Sequence, residues 1–452
     1  MTKRSIVVAA TTVGLVVSVP SVALAHGIGG RLDLPVPVSY FVVTAALVLI
    51  ISFVVLSVMW PEPRLQEGPL HEPSKLTMRH TGFAAALGVV SLFLVIGQLI
   101  PALFGLETDS TRPTIAPVMV WVVFWLIVPF ASAVIGDWYT DLNPWRTLAK
   151  GFRVGVEERS GLGARFGVWP ASVGFIAFIW LELIHPSSGS AVTLGIAALV
   201  YTFALIGAME IVGRETGLAV FDLFTPYNRL ISAISPVGRR EDGRLVWRGW
   251  LRALTVVPQW PGLAFFVIIA IGTVSYDGAS GTAWFNDLFG EFGQSMGGST
   301  ILLLASVALI GLTYYSASWA AARMGSGSRT PGEVAARFAH TLVPIALAYA
   351  VAHYLTLILF EGQQLISAIS DPFALGWDLF GTAERKIDFF ITAAEPIWYA
   401  QVGVIVLGHL LGVVLAHDRA LADFGKDALR SQYAMLLLMV ALTTLGLLIL
   451  SG

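Results

Sequence analysis

Carboxylate and histidine side chains within long apolar segments are the first candidates for chemistry in this sequence. Glu182 and His185 end one such segment, and a spacing of i and i+3 places both on one face of a helix. Carboxylate-bridged metal sites in helical bundles use the same Glu-x-x-His pair. Ionisable groups at membrane depth are costly to keep, so each of them is a candidate functional residue.

Residues of the same types fall at comparable positions in other segments. Asp277 and Glu361 come at the ends of two apolar runs, and His353 precedes Glu361 by eight residues. With the Glu-x-x-His pair they predict a polar cluster near one face of the membrane, of the His/carboxylate type that holds a first-row metal and activates water. The alternative is a structural role, because membrane histidines hydrogen-bond to neighbouring helices and acidic residues at helix ends face water.

The start of the chain adds one more potential ligand. Residues 1–25 have the form of a cleavable signal peptide, with a basic start, an apolar core over 6–22 and Ala-Leu-Ala at 23–25. Cleavage would leave His26 as the first residue, whose amine and imidazole can chelate copper; an uncleaved first helix is the alternative. The predicted ligands of a divalent metal (zinc, copper or iron) are His26, Glu182, His185 and His353.

A haem interpretation rests on other histidines. His340 and His353 are about 20 Å apart along a helix, a spacing that resembles the paired haem ligands of b-type cytochromes. His409 or His417 could face His340 from the next segment. His353 has no counterpart there, so the pattern fits haem poorly.

These residues sit in an apolar chain. Of the 452 residues, 56% are hydrophobic and 12% charged, with a mean hydropathy of +0.77, whereas soluble domains carry about 25% charged residues. Continuous apolar runs of about 20 residues predict transmembrane helices. The sequence thus predicts an all-α, polytopic transmembrane bundle formed by residues 26–452 as a single domain. The ten predicted spans are 39–60, 82–106, 116–136, 167–185, 190–213, 258–276, 299–322, 336–360, 397–416 and 433–450.

The distribution of basic residues predicts the orientation. Of the 27 Lys and Arg residues, 21 fall in or at the mouths of alternate loops on one side and four on the other. Because basic residues concentrate on the cytoplasmic side, this predicts a multi-pass protein of the inner (plasma) membrane with both mature termini outside.

Other features exclude several classes of function. The chain has no cysteine, which rules out disulfides, thiolate metal ligands and cysteine nucleophiles. The net charge of −2 argues against nucleic acid as a partner, and phosphate-binding-loop and zincin motifs do not occur. The expected partners are membrane lipids and an apolar small-molecule substrate.

Two cytoplasmic strings resemble each other. Residues 137–148 contain Asp-Leu-Asn-Pro-Trp-Arg, and residues 222–229 read Asp-Leu-Phe-Thr-Pro-Tyr-Asn-Arg. They indicate a weak duplication of a two-helix unit, and the first string predicts a short helix in the membrane interface with Trp145 at headgroup depth.

Four strings also stand out as a set. They are His26-Gly-Ile-Gly-Gly-Arg-Leu-Asp-Leu-Pro-Val-Pro37, Asp141-Leu-Asn-Pro-Trp145, Leu342-Val-Pro-Ile-Ala-Leu-Ala-Tyr-Ala-Val-Ala-His-Tyr354 and Val406-Leu-Gly-His-Leu-Leu-Gly-Val-Val-Leu-Ala-His-Asp418. The set resembles a bacterial family, frequent in actinobacteria, of polytopic membrane proteins known as fenitrothion hydrolases, over essentially the whole mature chain.

The resemblance implies hydrolysis of an organophosphorus triester by a membrane-bound enzyme. It supplies no catalytic residues, so the roles come from the chemistry alone. Glu182, His185 and His353 would hold the metal, with Asp277 or Glu361 as the catalytic base. Two other hypotheses stay open: a transporter or metal-handling membrane protein, and a non-catalytic membrane subunit.

Overall fold

A computed structural model describes residues 37–66, 81–106, 114–239, 245–325 and 329–451, and these residues are mostly helical. The predicted signal peptide and His26 lie outside the described residues. Cleavage at residue 25, the location of the mature termini and the metal ligand at His26 therefore stay predictions.

The first half of the chain begins with two long helices and continues through a π-helical stretch into shorter ones. Its elements are α1 (Val38–Met59), α2 (Thr81–Phe104), α3 (Ile115–Val118), the π-helix Met119–Ile127, α4 (Val128–Ile135), α5 (Tyr139–Leu142), α6 (Pro144–Gly151), α7 (Ser160–Phe166), α8 (Trp169–Leu183), α9 (Ala191–Val212), α10 (Arg214–Phe221) and α11 (Phe224–Ser232).

The second half opens with a small antiparallel hairpin and then returns to helices. Its elements are β1 (Val237–Arg239), β2 (Leu245–Trp247), α12 (Arg252–Thr255), α13 (Leu263–Ser280), α14 (Ala283–Gln294), α15 (Met296–Met324), α16 (Pro331–Phe338), α17 (Val343–Leu359), α18 (Gln364–Ser370), α19 (Ala394–Phe424) and α20 (Ala428–Ser451), with 3-10 turns at Ala339–Leu342, Glu361–Gln363 and Gly425–Asp427.

Apolar helices occupy all ten segments predicted to cross the membrane. Seven stretches are long and apolar enough to span it, and the last of them, Ala394–Ser451, comprises α19 and α20. Two further apolar helices, Ala86–Pro101 and Trp169–Leu183, are shorter. The all-α fold of an integral membrane protein is thus confirmed, whereas a total of ten crossings stays a prediction.

Helix α13 lies at the centre of the bundle. Every residue from Phe266 to Ala279 is buried, and α8, α15, α17 and α20 all pack against this helix. A helix that is apolar and buried on every side belongs in a core. Any charged side chain on α13 must therefore find its partners within the protein.

Helices α17 and α19 pack closely because two glycines of α19 face α17. A Cβ atom at Gly408 would come within 2.2 Å of the Ala348 Cβ and 2.7 Å of the Pro344 carbonyl oxygen, and one at Gly412 within 3.0 Å of the Thr341 carbonyl oxygen. This is the Gly-x-x-x-Gly contact of membrane helices, in which small residues let two backbones approach.

The end of α19 carries buried polar contacts. The carboxylate of Asp418 accepts hydrogen bonds from the Trp60 indole at 3.1 Å and the Arg64 backbone N–H at 2.6 Å, while His417 contacts the Trp60 carbonyl and Gln432. The predicted boundary at residue 416 was too early: α19 continues to Phe424, because His417 and Asp418 are buried and form hydrogen bonds inside the protein.

The two similar strings, 137–148 and 222–229, pack against each other. Asp222, which is fully buried, accepts hydrogen bonds from Asn143 at 2.8 Å and from Tyr201 at 2.6 Å. Trp145 contacts Tyr201 and Phe224 and is only 6% exposed. Trp145 therefore fills the joint between the two strings, and its depth in the membrane stays a prediction.

The Gly408 contact predicts a specific stability effect. Gly408→Ala should destabilise the protein by about 1–3 kcal/mol, the usual cost of overpacking, because the added methyl group collides with Ala348. Thermal unfolding of the purified protein in detergent, followed by intrinsic fluorescence, measures the effect. Gly403→Ala is the matched control, since this exposed position of α19 has open space for a methyl group. Equal midpoints for the two variants would contradict the close contact.

Candidate functional site

A polar contact inside the bundle joins α13 to α17. His353 Nε2 lies 2.8 Å from Asp277 Oδ2, and the Tyr354 hydroxyl donates a hydrogen bond to the same oxygen at 2.9 Å. Asp277 is 4% exposed and Tyr354 1%. Two adjacent residues of one helix thus hold a carboxyl group of its neighbour.

The position of Asp277 explains why two donors converge on it. A carboxylate is costly in an apolar interior unless hydrogen bonds or charges compensate it. Because α13 is buried on all sides, water cannot supply this compensation along most of its length. The donors come from α17, which packs alongside.

Glu182 brings a second carboxyl group to this place. It lies in the last turn of α8, is 8% exposed, and is close enough to Asp277 for the two groups to interact electrostatically. Within the described residues, neither of its oxygens has a hydrogen-bond partner. We call Asp277, His353 and Glu182 together the acid cluster. Asp277 and His353 are hydrogen-bonded to each other, whereas no described residue forms a hydrogen bond with the Glu182 carboxyl group.

Aromatic side chains enclose the acid cluster. Trp125, on the π-helix Met119–Ile127, is 1% exposed; its ring lies 6.1 Å from that of Tyr354 and 5.3 Å from that of Tyr227. Its indole N–H is near Glu182 but outside hydrogen-bonding geometry. π-Helical turns are rare and often mark functional sites, since they move a side chain out of its regular register.

One ring nitrogen of His353, Nε2, is engaged in the contact with Asp277. An ionised Asp277 only accepts hydrogen bonds, so Nε2 then carries the proton of this contact, and Nδ1 has a lone pair when the ring is neutral. Gly278 lies beside the ring: a Cβ atom there would be 3.5 Å from Nδ1. The absence of a side chain at Gly278 lets Ile449 of α20 pack there, next to the ring.

Two of the predicted site residues lie outside the acid cluster. His185 accepts the Ser187 backbone N–H at Nδ1 and its ring contacts Trp180, because α8 ends at Leu183 and the helical face shared with Glu182 does not continue. Glu361 follows α17, eight residues and so about 12 Å beyond His353, and accepts a hydrogen bond from Gln364. Burial raises the pKa of Glu361 above its ordinary value.

The described residues do not fit a metal centre as they stand. Over the ranges that the structure describes, no three His, Asp or Glu side chains are grouped so that they could hold one ion. The ligand set of His26, Glu182, His185 and His353 stays a prediction, because His26 lies outside those ranges. His340 and His409 each contact a backbone carbonyl of their own turn through Nδ1, the ordinary state of a helical histidine.

Sequence reasoning missed two members of the site. Tyr354 follows His353 directly, and a tyrosine in the middle of an apolar helix signals a buried hydrogen bond. Trp125 falls mid-segment, whereas interfacial tryptophans fall at segment ends, so its position was an available signal.

Comparisons with known proteins add no family. No protein-family model, curated protein or solved structure matches this chain significantly. The resemblance to fenitrothion hydrolases therefore stays a prediction that rests on four sequence strings.

Proposed function

We propose that this protein is a proton-coupled membrane transporter, in which the acid cluster of Glu182, Asp277 and His353 takes up and releases the coupling proton. The observation that carries the proposal is the state of Glu182: it is buried in the bundle, beside a second carboxyl group, and no described residue donates a hydrogen bond to it.

Such a carboxyl group needs a compensating partner. An unpaired carboxylate in an apolar interior costs several kcal/mol, which a proton, a cation or water must offset. Two carboxyl groups that are close together and an imidazole with one free nitrogen form a short relay, since a proton can pass between groups that compete for it. Intramembrane carboxylates and histidines in such arrays are typical of pumps and transporters.

The positions of the cavities favour proton transport over hydrolysis of a bulky substrate at the acid cluster. Two cavities between the described residues, of about 440 and 390 Å³, are not lined by any residue of the acid cluster. A proton needs no such space, whereas an ester substrate does. The cluster lies near the C-terminal ends of α8 and α13, so only a short path separates it from one face of the bundle.

Proton uptake by Glu182 can be tested in two independent ways. In liposomes that contain a pH-sensitive dye, the wild-type protein should speed internal acidification under an imposed potential, and Glu182→Gln should reduce the rate to that of empty liposomes. Infrared difference spectra recorded between two pH values should show a carboxylic-acid C=O band in the wild-type protein. Glu182→Gln should remove this band.

Glu62→Gln is the matched control, because Glu62 is exposed and lies far from the cluster in the chain. It should leave both the flux and the infrared band unchanged. A band that survives in Glu182→Gln, or a flux equal in all three proteins, would contradict the assignment of the proton to Glu182.

Membrane-bound hydrolysis is the second candidate, favoured by the Asp277–His353 pair. A carboxylate that orients an imidazole leaves its other nitrogen as a general base, as in hydrolytic triads. His353 Nδ1 would take a proton from water, the resulting hydroxide would attack phosphorus, and the aryloxide would leave with the electron pair of its P–O bond. A neutral organophosphorus triester would reach such a site from the lipid.

This alternative predicts that purified protein releases nitrophenol from a neutral p-nitrophenyl dialkyl phosphotriester. His353→Ala should reduce the rate by a factor of about 100 or more, the usual contribution of a general base. His185→Ala separates the two hydrolytic hypotheses. His185→Ala should leave the rate of hydrolysis unchanged if His353 acts with Asp277. If the predicted metal site exists, the same substitution should abolish hydrolysis and remove the bound metal, which elemental analysis measures. Hydrolysis at the rate of protein-free detergent would exclude both.

A further inference from the structure

A cavity of about 390 Å³ lies at the other end of α13 from the acid cluster. Pro258 and Trp260 line it just before α13 begins at Leu263. Asp277 comes 14 residues after Leu263, which corresponds to about 21 Å along the helix. The cavity is therefore a separate place, which the proposed proton chemistry does not use.

Three half-buried arginines line this cavity. Arg229 comes from the last turn of α11, Arg239 from β1, and Arg248 directly follows β2. The pairing of Val237 with Trp247 in the hairpin holds the two strands side by side. Residues from distant parts of the sequence thus present guanidinium groups to one space.

The protein does not fully neutralise these charges. Arg239 is paired with Asp141, but Arg248 donates only to the backbone carbonyls of Ser232 and Ser235, at 2.6 and 3.1 Å. Among the described residues, none accepts a hydrogen bond from the Arg229 guanidinium.

One carboxylate also lines the cavity, and it is already engaged. Asp137 accepts hydrogen bonds from the backbone N–H and the hydroxyl of Thr140, at 3.2 and 2.7 Å. Among the described residues, Asp137 and Asp141 bring two negative charges against the three arginines, so one positive charge remains. Burial lowers the pKa of Arg248, which is the mark of a cation whose loss of water is incompletely offset.

We propose that this cavity binds a phosphate group, carried by an anionic phospholipid or present as free phosphate. Arg229 and Arg248 supply the donors, because a planar guanidinium matches the geometry of phosphate oxygens. Val256, Val257 and Pro258 form an apolar wall that suits the glycerol and first methylene groups of a lipid. Basic pockets between membrane helices on the cytoplasmic side are typical sites for anionic headgroups.

The surroundings favour the lipid as the source of the phosphate. Trp247 and Trp250, at the end of the hairpin and just after it, are 52% and 51% exposed. Exposed tryptophans at the end of a membrane bundle lie at headgroup depth. The same side is the predicted cytoplasmic face, where anionic lipids are concentrated.

Thermal unfolding of the delipidated protein in detergent tests the site with three probes: phosphatidylglycerol, phosphatidylcholine and inorganic phosphate. Phosphatidylglycerol should raise the unfolding midpoint of the wild-type protein and phosphatidylcholine should not. Arg229→Ala should weaken the binding of phosphatidylglycerol by about fivefold, the usual effect of one basic residue near a lipid surface. Arg430→Ala, which removes an exposed arginine of α20, should leave it unchanged.

Each outcome either identifies the source of the phosphate group or contradicts the proposed site. A shift with inorganic phosphate that competes with the lipid would assign the cavity to free phosphate. Equal shifts with both lipids, or equal loss in Arg229→Ala and Arg430→Ala, would overturn the proposal. If Arg229→Ala does not fold, Arg229→Lys serves instead: it keeps the charge but loses the planar fork, so weaker lipid binding with an unchanged unfolding midpoint in the absence of lipid supports the site.

Discussion

A carboxyl group on a helix that is buried on every side is the constraint on which the arrangement of this bundle depends. Asp277 cannot reach bulk water, so its charge must be compensated by neighbouring helices. Two donors to its Oδ2, His353 and Tyr354, come from α17. Any shift of α17 along α13 by one turn would separate these groups by about 5.4 Å and break both hydrogen bonds. The polar contact therefore fixes the register of the two central helices.

Close packing by small residues makes this register possible. Hydrophobic burial gives little preference between helix pairs in a bilayer, so tight contacts decide which helices associate. Gly278, next to Asp277, allows α20 to approach so closely that a Cβ atom would lie 2.4 Å from the Ile449 side chain. Gly408 does the same for the contact between α19 and α17. Close contacts thus hold α13 against α20 and α17 against α19, around the pair of His353 and Asp277.

The apolar segments and the core of the site could be predicted from sequence, because both follow from hydropathy and from the cost of ionisable groups in lipid. Glu182, Asp277 and His353 were expected near one end of the bundle, and the structure brings them together. The place of His185 could not be foreseen, since it depends on where α8 ends. The burial of His417 and Asp418 follows from their contact with the chain after α1, and helix order in sequence does not reveal such neighbours.

Helix α13 also sets how far the acid cluster and the arginine-lined cavity can influence each other. The two ends are about 21 Å apart, and at an effective dielectric constant of 20 one unit charge acts on another at that distance with ~0.8 kcal/mol. An anion bound at Arg229 and Arg248 would thus change the proton affinity of the cluster by less than about fivefold. Larger coupling would require movement of α13 itself, which its buried surface and the grip of His353 and Tyr354 on Asp277 oppose. The two proposed sites should therefore act independently. The acid cluster would take up and release protons in the core, and the arginine-lined cavity would bind a phosphate group at one end of the bundle.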